Sequence, residues 1–189
     1  MRIEQNILGS HCWRNEPLDA VGVVLHWISV YPDHPNMVAG AVEDGFNPVT
    51  IMQFLDEYNR PGRARGRILK NQAARRGYAS YHLVIPRHEH EPVRQFVPFD
   101  RQAYHAGVSE WPLRGLDDLN RHCEGWALVG RAGLPYTDHQ YRTLGILASR
   151  GGWKGSQFTG HDHVARPEGR RHDPGPLFDW RRLREEIGR

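Results

Sequence analysis

The spacing of apolar positions changes several times along the chain, and each change marks an element. Residues 21–28, Val21-Gly22-Val23-Val24-Leu25-His26-Trp27-Ile28, form an almost unbroken apolar run rich in β-branched side chains. That pattern predicts a strand buried on both faces. Residues 1–20 carry no clear period and are expected to be an irregular lead-in. Beyond the run, the turn cluster Tyr31-Pro32-Asp33-His34-Pro35-Asn36, with Gly40 and Gly45, predicts a long loop. Asn47-Pro48 then supplies an N-cap and a first-turn proline for a helix through about Tyr58. A second helix is expected from about Ile68 to Arg76, stopped by Gly77.

Alternation replaces helical spacing after that. Residues 79–85 and 93–99 predict two strands joined by the polar turn His88-Glu89-His90-Glu91-Pro92, a hairpin. Residues 100–123 are expected to be mostly loop, followed by a short strand over 126–129. Thr137-Asp138-His139-Gln140 has capping-box spacing and opens a helix with Tyr141, Leu144, Leu147 and Ala148 on one face, ended by Gly151-Gly152. Residues 157–159 predict a last strand, and 179–187 a short amphipathic helix. Helices interleaved with four or five strands in one sheet predict an α/β (mixed α+β) fold. The expectation is a single domain over 1–189, a central mixed β-sheet flanked by helices, with its core over about 20–183.

Composition narrows the class of protein. At 189 residues, with 39% hydrophobic residues, the chain is long enough to bury a proper core. No run of about 18 apolar residues is present, so no membrane insertion is expected. The first residues lack the apolar segment of a secretory signal, which predicts a cytoplasmic protein. Cys12 and Cys123 show no CxxC spacing and are expected to be free thiols. A net charge of +3 favours anionic partners, either nucleic acid or an acidic cell-wall polymer.

The densest chemistry lies near the C-terminus, in Thr159-Gly160-His161-Asp162-His163 and Gly169-Arg170-Arg171-His172-Asp173-Pro174-Gly175-Pro176. Imidazoles and carboxylates are the usual ligands of first-row metals. A catalytic zinc takes three such protein ligands and leaves a fourth position for water. His26, alone inside its apolar strand, is the candidate partner from elsewhere in the chain. A lone histidine in a strand is more often a core residue bonded to backbone, so spacing leaves both readings open. The turn at His88–Glu91 is a second, weaker metal candidate.

The segment Arg94-Gln95-Phe96-Val97-Pro98-Phe99-Asp100-Arg101-Gln102-Ala103-Tyr104-His105-Ala106-Gly107-Val108-Ser109 resembles one found in the amidase-2 family of N-acetylmuramoyl-L-alanine amidases, which includes peptidoglycan-recognition proteins. Four further blocks resemble that family in the same order. They are the strand ending in His26, Tyr81-His82, the helix start at Tyr136–Tyr141, and the pair Thr159-Gly160-His161 and Asp173–Trp180. Together they span roughly residues 20 to 183.

The resemblance implies a zinc hydrolase with His26, His161 and Asp173 as metal ligands. It implies Arg171 in the place of a catalytic lysine, Tyr81 beside the metal, and His105 lining the cleft against substrate. Two departures stand out. Asp173 follows His161 by 12 positions, two more than in the muropeptide-recycling branch, which makes His172 a rival third ligand. Ala127 occupies the position of a catalytic glutamate in many members, a glutamate that the phage lysozyme-type branch also lacks.

The implied activity is hydrolysis of the amide between N-acetylmuramic acid and L-alanine, on peptidoglycan or muropeptides, by a monomer that does not bind nucleic acid. Ala127 and the arginine-rich C-terminus favour a phage-type endolysin, which would reach the periplasm through a holin. The alternatives are a cytosolic anhydro-muropeptide recycling amidase and a catalytically weakened peptidoglycan-binding protein.

Overall fold

In chain order the strands are β1 (Ile3–Gln5), β2 (Trp13–Pro17), β3 (Gly22–Ile28), β4 (Leu83–Ile85), β5 (Val93–Gln95), β6 (Arg101–Ala103), β7 (Glu110–Trp111), β8 (Leu116–Asp117), β9 (Cys123–Val129) and β10 (Phe158–Gly160). The α-helices are α1 (Asp138–Gly151), α2 (His161–Val164) and α3 (Trp180–Ile187). These elements come from a computed structural model, which describes residues 1–5, 7–8, 13–28, 80–130 and 132–188. The expected loop after Ile28, both helices expected between 47 and 76, and Cys12 lie outside the described residues.

Six strands form one mixed sheet in the order β1-β5-β4-β9-β3-β10. Strand β9 lies inside it, parallel to both β4 and β3, and all seven of its residues are buried. A near-continuous apolar run is what a strand covered on both faces requires. The hairpin expected around His88–Pro92 is present as the antiparallel pair β4–β5.

Side-chain alternation divides the sheet into two unlike faces. On one, Val23, Leu25, Leu83, Ile85, Trp126, Leu128 and Phe158 pack against Tyr141, Leu144, Leu147 and Ala148 of α1 and Leu183 of α3. The capping box at Thr137 is formed in both directions, and Gly152 closes α1 in the left-handed conformation. On the other face the apolar surface is broken in two. Leu8, Val84, Phe96, Ala127 and Val129 form one cluster, and Val24, Ala106, Trp111, Leu119, Cys123 and Val164 form another. His26, fully buried and on the same face as Val24, stands at this break.

The structure departs from expectation at one edge of the sheet and in two small sheets outside it. The lead-in carries β1, which pairs parallel with β5, and β2, which pairs antiparallel with β6. The segment 100–123 is not plain loop, since it holds β6, β7 and β8. These strands run from two to five residues, too short for alternation to register; distant partners define β1, β2 and β6, while β7 and β8 pair with each other. The strand expected over 126–129 starts earlier, at Cys123, a free and buried thiol that burial pushes up to about 12. No helix among the described residues is long and apolar enough to cross a membrane.

Candidate metal centre

Three side chains from distant parts of the chain converge at the C-terminal ends of parallel strands β3 and β10. The register pairs Gly160 with Leu25, so the next residues, His161 at the start of α2 and His26 in β3, lie side by side. The loop after α2 returns Asp173 to the same place. It is held there by the Asp162 amide, which donates to the Asp173 carbonyl at 2.7 Å, and by the Tyr136 hydroxyl, which donates to the Pro174 carbonyl at 2.8 Å.

The three inward-facing atoms form a nearly equilateral triangle. His26 Nδ1 is 3.1 Å from His161 Nδ1 and 3.0 Å from Asp173 Oδ2, and His161 Nδ1 is 3.2 Å from the same oxygen. Donors at tetrahedral zinc distances of about 2.0–2.1 Å stand about 3.3 Å apart, so the spacing suits a small divalent cation. Among the described residues this is the one group of histidine, cysteine and acidic side chains arranged to hold a metal ion. The rival turn shows stacked His88 and His90 rings, 5.6 Å apart, and no such convergence.

Tautomers strengthen the fit. His161 Nε2 faces the Ala106 carbonyl at 3.0 Å, and His105 Nε2 faces the Cys123 carbonyl at 3.0 Å. Carbonyl oxygens only accept, so both nitrogens carry the proton and donate. His105 Nδ1 is then an acceptor, and His26 Nε2–H donates to it at 3.1 Å. With Nε2 protonated, a neutral ring at each position turns Nδ1 toward the Asp173 oxygen, a set of acceptors that a bound cation would satisfy. Burial, and next the proximity of His161, lowers His26 to about 4, so its ring is neutral near pH 7.

The other expected site residues fall around this centre in different ways. Arg171 is exposed, close enough for its charge to act on His26. Tyr81 is half-buried, its ring centroid 5.1 Å from that of His26. His172 is exposed and outside the triangle; it lines a cavity of about 280 Å³ with Trp27, Leu134, Pro174 and Pro176. His105, expected to face substrate, instead lies buried behind His26 with both ring nitrogens engaged. Ala127 sits in register beside His26, fully buried in the apolar cluster.

Sequence inspection passes over two further residues. Arg170 donates from Nη2 to the carbonyls of Ala106, at 3.0 Å, and Val108, at 2.6 Å, tying the ligand loop to the 105–109 segment. In the sequence it is one member of an arginine pair. Asn120 accepts from the amides of His105 and Ala106, and no pattern announces it.

His82 is a buried histidine with a structural role. Its Nε2 donates to the Arg101 carbonyl at 2.8 Å, and its Nδ1 accepts from the Gly125 amide at 2.9 Å. Burial lowers it to about 4 against an ordinary 6.5. A depressed histidine contributes fully above its unfolded value and loses that contribution as pH falls through the folded one. Metal-free protein is therefore expected to lose roughly 3 kcal/mol through His82 between pH 6.5 and 4. Urea denaturation across that range checks this, and His82→Asn should flatten the slope by about 1.4 kcal/mol per pH unit.

Comparison with known proteins accords with this geometry. Residues 20–176 match the family described as N-acetylmuramoyl-L-alanine amidase. The 1,6-anhydro-N-acetylmuramyl-L-alanine amidase AmpD of Citrobacter freundii is 43% identical over 97 residues, 49% of this chain and 50% of that protein. The chain thus spans about half the length of the first curated relatives it matches. The protein of the same name in Haemophilus influenzae is 30% identical over 183 residues, 92% of this chain and 86% of the relative. A crystal structure of a selenomethionine derivative of AmpD aligns with a TM-score of 0.67 at 28% identity, over 98% of this chain and 93% of that one. The names of these relatives agree with the anhydro-muropeptide alternative better than with the endolysin expectation. The matched region runs from before the strand of His26 to beyond the loop of Asp173, and the chain belongs to the N-acetylmuramoyl-L-alanine amidase family.

Proposed function

We propose that this protein hydrolyses the amide bond between the lactyl group of N-acetylmuramic acid and L-alanine, with 1,6-anhydro-muropeptides as its substrates and zinc as its metal. The observation that carries this reading is the triangle of His26 Nδ1, His161 Nδ1 and Asp173 Oδ2, with sides of 3.0–3.2 Å, in a chain similar to anhydro-muramyl amidases. A zinc ion held by these three residues would make a water nucleophilic near neutral pH and polarise the amide carbonyl.

The chain's own groups do the rest. Water adds to the carbonyl carbon, the C–N bond breaks, and the peptide leaves with a free L-alanine amine. Arg171, on the exposed rim, supplies a fixed positive charge for the oxygen that becomes anionic during attack. Tyr81 presents its phenol near the centre, where it orients substrate and delivers a proton to the departing nitrogen. Buried His26, with Ala127 and the apolar cluster beside it, keeps water off one flank. A second reading, a peptidoglycan binder weakened in catalysis, rests on Ala127 alone.

Mass spectrometry of products decides among these. Soluble 1,6-anhydro-muropeptide is expected to yield 1,6-anhydro-N-acetylmuramic acid and peptides beginning with L-alanine, and His161→Ala is expected to yield neither. Lysis of purified sacculi without turnover of the soluble substrate would restore the endolysin reading. Zinc binding without cleavage of either would support the binder.

A further inference from the structure

Both imidazoles that face the metal centre take their outer hydrogen bonds from one dipeptide. His105 Nδ1 accepts from His26 Nε2–H at 3.1 Å, and the carbonyl of the next residue, Ala106, accepts from His161 Nε2–H at 3.0 Å. The amides of the same two residues, His105 and Ala106, donate to a single atom, Asn120 Oδ1, at 2.9 and 2.8 Å. Asn120 is 4% exposed, in the turn Leu119–Arg121 that leads into β9. That turn is pinned by the Leu119 amide, which donates to Ser109 Oγ at 3.0 Å.

We propose that His105-Ala106, clamped by Asn120, is the positioning element for both histidine ligands, and that His105 and Asn120 set metal affinity without touching metal or substrate. This rests on the metal reading above. The dipeptide does two things at once. It orients each ring, and it assigns the ring proton to Nε2 so that Nδ1 stays free to ligate. His105 has no nitrogen left for substrate, because its Nε2–H is spent on the Cys123 carbonyl.

The backbone of β9 is shaped for this arrangement. A Cβ at Gly125 would stand 2.7 Å from the Cβ of His105 and closer still to its ring, so only glycine leaves the ring its place. Arg170 Nη2 occupies the second lone pair of the Ala106 carbonyl and fixes the clamp from the ligand-loop side. Displacing the dipeptide would thus disturb two of three ligands together, although Asn120 is not itself a ligand.

The test is the zinc dissociation constant, measured by competition with a chromophoric chelator on the whole chain. His105→Leu and Asn120→Leu are expected to weaken zinc binding about 10- to 100-fold, the usual effect of losing an outer hydrogen-bond partner. His105→Asn and Asn120→Asp, which keep an acceptor at the same place, are expected to recover most of that loss. Folded leucine variants that bind zinc like the parent, with only KM raised, would overturn the proposal and return His105 to the substrate wall. Nitrogen NMR of the metal-free parent gives a reading that needs no variant. Both His26 and His161 should be Nε2–H tautomers, and an Nδ1–H form of either would overturn the clamp. A parent that binds zinc no better than His161→Ala would instead overturn the metal reading, a separate result.

Discussion

Asp173→Ala is expected to abolish tight zinc binding and lower kcat/KM for amide hydrolysis by at least about 10³-fold. The three ligands are not equivalent. His26 and His161 present neutral nitrogens, and Asp173 supplies the one negative charge of the triangle. Without it a divalent cation would sit in a buried pocket with no compensating charge, which costs several kcal/mol. The metal's polarisation of the carbonyl is itself worth several kcal/mol, and each 1.36 kcal/mol is tenfold in rate, hence about 10³ as a lower bound. Thermal unfolding checks the binding half independently of activity. Zinc at about 1,000 times its dissociation constant should stabilise the parent by roughly 4 kcal/mol and leave Asp173→Ala unmoved. His172→Ala, one position away but exposed, should keep both the zinc response and the rate. An Asp173→Ala chain that still cleaves substrate would remove this carboxylate from the mechanism.

What the chain discloses without coordinates follows from how local each feature is. Strand β3 shows itself by eight consecutive residues, and α1 by its capping box and closing glycine, because backbone and near neighbours decide both. The three candidate ligands become legible only through family blocks, since nothing local says that residues 26 and 173 meet. Strand β1 is invisible for a related reason. It has three residues, and its pairing partner, Val93 to Gln95, lies 90 positions away. His105 shows the same limit. Its surroundings in the sequence suggest a cleft, but its burial depends on the missing side chain of Gly125 and on a carbonyl from Cys123. Absent atoms and backbone acceptors leave no mark in a pattern of residue types.

Ala127→Glu, which puts an acidic residue where the family resemblance expects one, is expected to destabilise this protein by roughly 3 kcal/mol or more rather than accelerate it. The strand register sets Ala127 directly beside His26 on one side and Val84 on the other, all on one face of the sheet. Leu8, Phe96 and Val129 complete its cluster, with Tyr81, Ile28 and Leu134 packed against them, and the methyl group is fully buried. Extra heavy atoms here overpack a closed core, at about 1–3 kcal/mol, and a carboxylate adds the cost of burying a charge. A neighbouring zinc offsets part of that second cost, so the loss should be smaller in the metal-loaded protein than in the metal-free one. Urea denaturation with and without zinc measures both, and Ala127→Gln separates overpacking from charge. Such a result would mean that the apolar wall beside His26 has been rebuilt around alanine, leaving Arg171 and Tyr81 as the groups at hand for charge and proton transfer. A well-folded Ala127→Glu protein with kcat raised tenfold or more would mean the opposite. The site would then have kept room for a general base, which is worth about 10²–10⁴ in rate where it operates, and its loss would be what limits this enzyme.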